Sequence, residues 1–143
     1  MREPITIAGA MVLALAAAGC GNPKDLPTAP DGGTPDPTAT LSRAQAEVFS
    51  PRCATAGCHA SAAPQLGLDL SPGRTYSMVV GVRSVQAGSL NRVEPFNPDS
   101  SYLIWKIRGD AGITGSRMPQ GGQLTADEIQ LLVDWVRRGA PHD

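Results

Sequence analysis

The chain has 143 residues, with 12 Lys and Arg against 13 Asp and Glu and a formal net charge of −1. That length suits one domain of ordinary size, and near charge balance gives no electrostatic ground for a nucleic-acid partner, because binding phosphates needs clustered cations. Hydrophobic residues at 41% with charged residues at 17% argue against a fully disordered chain, while 4% aromatics is lean for a core and leaves space for another filler.

The first segment, residues 1–19, reads as an export signal. Arg2 gives a small positive start, and Ile5 to Ala18 is apolar except for Thr6 and Gly9. A membrane-spanning helix needs about 20 apolar residues, so the run suits a signal peptide better than a span. It closes on Ala17-Ala18-Gly19-Cys20. An ordinary secretory signal cut near Ala18 fits this composition. Small residues before a Cys also resemble a bacterial lipobox, which implies that Cys20 is lipidated and becomes the mature N-terminus; Ala17 stands where that motif prefers Leu. Gly21 follows the Cys instead of Asp, which resembles the outer-membrane sorting signal of Gram-negative lipoproteins. Residues 20–40 are rich in Pro, Gly and Thr and lack apolar periodicity, so they predict an extended linker. The globular unit then spans 41–143.

Within that unit, Ser42 can cap a helix through Ala44, Val48 and Phe49 that stops at Pro51. Next comes Cys53-Ala54-Thr55-Ala56-Gly57-Cys58-His59, a C-x4-C-H pattern. Two such cysteines in an exported chain can form a disulfide. A zinc site would have three ligands here, and the only other histidine is His142, near a C-terminus expected to fray. Leu66-Gly67-Leu68-Asp69-Leu70 alternates, yet Pro64, Pro72 and Gly73 confine it to an extended loop. Tyr76 to Val82 suggests one short helix. Another fits Pro98 to Arg108, with Asn97 as cap and Tyr102, Leu103, Trp105 and Ile107 as apolar surface. Gly115 to Gly122 is a polar, Gly-rich loop containing Met118. The last helix is the plainest: Thr125 and Glu128 form a capping box, Ile129, Leu132, Val133 and Val136 recur at helical spacing beside Trp135, and Gly139 and Pro141 end it.

The C-x4-C-H stretch resembles the haem-attachment motif of c-type cytochromes, whose usual spacing is C-x2-C-H. The resemblance implies one covalently bound haem c, held by Cys53 and Cys58 as thioethers, with His59 as the proximal iron ligand. Met118-Pro119, in a loop before the last helix, resembles the distal loop of small monohaem cytochromes c and implies Met118 as the distal ligand. His142 is the runner-up ligand, and Met78 reads as core. The implied fold is all-α: a small cytochrome c-like domain wrapped around one haem, with long loops. Its first and last helices would cross, with Phe49 against Trp135, or the two aromatics would occupy separate pockets. Tyr102 or Trp105 could reach a haem propionate, core packing being the other reading, and Arg117 could meet a propionate, a partner's acidic patch or solvent.

The implied function is one-electron transfer with both axial positions filled, and no catalysis at the iron. Implied partners are transient redox proteins and the membrane holding Cys20, with the chain a monomer on the periplasmic or cell-surface side. The rival expectation is a haem-free lipoprotein that binds a partner, stapled by Cys53–Cys58. A third is a sensory haem domain in which Met118 leaves the iron.

Overall fold

A computed structural model describes residues 33–143. The expected signal segment, Cys20 and the linker up to residue 32 lie outside the described residues.

The described chain is helical, and isolated bridges are its only β pairing. Helix α1, Leu41–Ala44, is capped by Thr40, whose side chain accepts from the Arg43 amide. It continues without a break as a π-helix over Gln45–Cys53. Two expectations are corrected here. The cap is Thr40, not Ser42, and the helix does not stop at Pro51. In a regular α-helix the Pro51 ring would collide with the carbonyl four residues back; the wider π turn relieves that clash and carries the chain to Cys53. Ala39 is fully buried and its carbonyl accepts from Arg138, so residues just ahead of Leu41 pack with the helical unit.

Helix α2 covers Thr75–Val79, shorter than expected, because Val80 turns extended and bridges Val93. The Gly81 amide donates to Val93 O and the Val93 amide to Val79 O, each at 3.0 Å. The Pro98–Arg108 segment divides. Asn97 caps a 3-10 turn, Pro98–Ser100, and helix α3 follows over Tyr102–Arg108. Ser101 interrupts them because its backbone is extended and its hydroxyl donates to Asn97 O at 2.8 Å. Gly109, at φ 78°, ends α3, and a side chain there would run into Arg117.

Helix α4, Ala126–Arg137, carries the expected capping box of Thr125 and Glu128. Its buried face is broader than the predicted stripe: Leu131 and Trp135 are buried with Leu132, Val133 and Val136, and Ile129 is partly covered. The Phe49 and Trp135 rings meet edge to face, with centroids 6.2 Å apart and planes at 80°, so the separate-pocket alternative falls. Trp135 Nε1 donates to Pro141 O at 3.0 Å, which satisfies the polar tip of this buried ring. The chain end is not frayed. Asp143 accepts from the amides of Leu41 and Ser42, and the His142 ring stacks on Tyr76 at 4.3 Å.

Candidate functional site

The C-x4-C-H loop is closed by its own backbone. The Cys58 amide donates to Thr55 O at 3.0 Å and the His59 amide to Cys53 O at 3.1 Å. Gly57 turns the chain at φ 81°, a conformation that costs a residue with a Cβ but not glycine. The extra residues therefore form a tight turn that returns His59 to the end of the π-helix. Downstream, the Gln65 amide donates to Cys58 O and the Leu70 amide to His59 O, each at 2.8 Å, so both flanks of His59 are held.

The His59 ring is oriented by a backbone carbonyl. Nδ1 lies 3.2 Å from Leu68 O; a carbonyl can only accept, so Nδ1 carries the proton and Nε2 keeps its lone pair. Burial, partly countered by hydrogen bonding to the backbone of Leu68 and Gln65, holds the imidazole below its ordinary pKa, and the charges of Arg92 and Lys106 push it the same way. Cys53 is half-buried and Cys58 exposed, and both are free thiols. Burial, with the Glu128 charge adding to it, raises the Cys53 thiol to about 11.

Met118 reaches the same place from the other half of the domain, on a loop strapped to α3. The buried Lys106 ammonium donates to Thr114 O at 2.9 Å and to Ser116 O at 2.7 Å. The Met118 amide donates to Lys106 O at 2.8 Å, and the Thr114 amide to the Tyr102 hydroxyl at 2.9 Å. Arg117 Nε donates to Ile107 O at 2.7 Å and its Nη1 to Gln123, so Arg117 braces this loop. The polar tip of Trp105 is likewise engaged, donating to Asp99 O at 2.7 Å.

Cys53, His59 and Met118 line one cleft whose other walls are mostly apolar, among them Phe49, Leu68, Leu103, Ile107 and Leu132. With its open mouth the cleft holds ≈ 740 Å³ of atom-free space, solvent at the mouth included. Leu66, with a left-handed φ of 56°, and Val85 stand at its mouth, 57% and 68% exposed. Cys58, one residue from His59, does not line it, and neither does His142, which faces Tyr76. Met78 packs against the core. Among the described residues, no group of three or more His, Cys, Asp and Glu side chains is placed to hold a metal ion. The cleft presents an imidazole nitrogen, a thioether and a thiol on mostly apolar walls, donor types that haem proteins use.

Ser84, Val85, Gln86, Arg92 and Lys106 line the cleft and escaped the sequence reading. Lys106 occupies the α3 face formed with Tyr102, Leu103 and Ile107, and its place four residues after Tyr102 was the available signal. Arg92 has no sequence signal; it reaches the cleft only because Val79–Val82 and α3 flank it. No protein-family model, curated protein or solved structure matches the chain.

Proposed function

We propose that this protein is a c-type cytochrome, a one-electron carrier with a cytochrome c-like fold around one haem, tethered outside the cytoplasmic membrane through a lipidated Cys20. The observation that carries this reading is the shared cleft: His59 and Met118, from distant parts of the chain, line one apolar slot beside Cys53. In this reading Cys53 and Cys58 would hold the haem as thioethers, and His59 Nε2 and the Met118 sulfur would ligate its iron. When bound, the haem iron supplies a reversible one-electron couple, with a potential raised by the thioether relative to two histidines.

The chain's own residues bind, orient and exclude water. Leu68 O fixes the His59 tautomer and ring direction at 3.2 Å. The strap from Thr114 to Met118, held by Tyr102 and Lys106, keeps the thioether at the slot. Phe49, Leu68, Leu103, Ile107 and Leu132 keep water from the interior, which favours the less charged state of any ion held there. With His59 and Met118 both ligating, the iron would keep no open position for a substrate, so the reading is a carrier and not an enzyme.

The test is a pyridine haemochrome spectrum on protein made with c-type maturation machinery and then extracted with acid acetone. Haem that stays with the polypeptide and shows a c-type α-band is the expected result. A colourless chain with a Cys53–Cys58 disulfide overturns it in favour of a haem-free binding module. In the coloured protein, Met118→Ala should abolish the near-infrared sulfur-to-iron band, lower the potential and open the reduced iron to carbon monoxide. An unchanged band, or carbon monoxide binding by the unaltered protein, takes Met118 off the iron.

A further inference from the structure

The cleft has an uneven charge. Arg92 and Lys106 line it, and no Asp or Glu does. Among the described residues neither cation is paired with a carboxylate. The Lys106 ammonium is spent on Thr114 O and Ser116 O. Arg92 is not. Its Nη1 donates to Met78 O at 2.7 Å, which aims the guanidinium, while Nε and Nη2 have no partner among the described residues. Its backbone is pinned on both sides, the amide on Val82 O at 2.7 Å and the carbonyl accepting from Leu103 at 2.9 Å. Arg92 Nε and Nη2 are not buried, so they stay open to the cleft, and the planar fork of the guanidinium matches a carboxylate. Partial burial lowers the Arg92 pKa.

Two neutral donors stand in the same cleft. Ser84 is buried, and its Oγ accepts from the amides of Gln86 and Ala87, each at 3.2 Å, which leaves its hydroxyl hydrogen to give. The Gln86 side-chain amide has no partner among the described residues. Donors outnumber acceptors at this end of an otherwise apolar slot, the chemistry of a subsite for the carboxylate of an apolar ligand.

We propose that Arg92, with Ser84 and Gln86, is a carboxylate subsite that takes a propionate of the haem, and so sets which edge of the macrocycle lies toward the 84–92 segment. This rests on the c-type cytochrome reading. The Arg92 charge acts on the His59 ring, and a positive charge there would disfavour an oxidised, more positive iron on that ring.

The test compares haem-loaded wild type with Arg92→Gln, Arg92→Lys and Gln86→Ala, by reduction potential at neutral pH and by the propionate bending band in resonance Raman spectra. Arg92→Gln should lower the potential and shift the band. Arg92→Lys should keep most of the potential, because the charge remains, yet still shift the band, because the fork is lost. Gln86→Ala leaves the Met78 brace intact and should shift the band with a smaller change in potential, so the test survives if Arg92→Gln fails to fold. Haem-loaded variants with the wild-type band and potential overturn the subsite alone. A wild-type chain that takes no haem overturns the cytochrome reading beneath it.

Discussion

At the scale of single residues, neighbouring side chains of one motif have unlike environments. Cys53 ends a π-helix, is half-buried, and has a thiol raised to about 11, first by burial and then by the Glu128 charge. Cys58 stands at the far side of the Gly57 turn, exposed. Alkylation requires the thiolate and access to it, so in the haem-free, folded chain iodoacetamide at about pH 8 should modify Cys58 well before Cys53. Peptide mapping of a time course reads this directly. Equal rates would mean that the loop opens faster than the reagent reacts. None of this was legible in the sequence, where the two cysteines look equivalent; the difference arises from core residues packed around one and not the other. The pairing of His59 Nδ1 with Leu68 O is likewise a product of the fold, since nothing in the extended reading of 66–70 points a carbonyl at the ring.

At the scale of elements, local signals did well where the chain's own chemistry closes the structure. The Thr125 and Glu128 capping box and the Asn97 cap ahead of Pro98 both form as read, because the partners lie within four residues. The signals failed where the deciding partner is distant. Pro51 reads as a stop, yet the helix runs through it as a π-helix, with Val48 and Phe49 buried and Phe49 meeting Trp135 of α4. Val80 belongs to an apolar run that suggests helix, yet its bridge to Val93 straightens it. The Phe49–Trp135 contact is the joint between the first helix and α4, with Trp135 fully buried. Trp135→Ala should therefore cost about 3–5 kcal/mol of folding stability, read by denaturant unfolding. A loss below about 1 kcal/mol would mean that the joint closes over the gap.

At the scale of the whole molecule, the cleft exists because two halves of the chain are clamped together. Arg52 beside Cys53 makes a two-point ion pair with Glu128 at the start of α4, at 2.8 and 3.3 Å. The Arg52 hydrogen bond, opposed by burial and aided by the Thr125 amide, holds the Glu128 carboxyl below its ordinary pKa. A carboxyl depressed by folding contributes stability above its unfolded pKa, and that contribution is lost as pH falls through the folded value. Unfolding free energy should therefore drop between about pH 6 and about pH 3, with a smaller drop in Arg52→Gln. Parallel pH profiles for the two proteins would show that the pair adds nothing, as exposed pairs often do. No described helix is long and apolar enough to cross a membrane.

The sequence by itself determined what its covalent order and local chemistry can state: the C-x4-C-H spacing, a polar loop holding Met118, a capped final helix, and helical content without strands among the described residues. Each depends on partners a few residues apart. Only the tertiary structure decided that Cys53, His59 and Met118 share a cleft, that His142 does not, and that Arg92 and Lys106 line its wall. Those outcomes depend on which surfaces bury against which, and the burial of Phe49, Trp135 and their neighbours selects one arrangement that no local pattern contains.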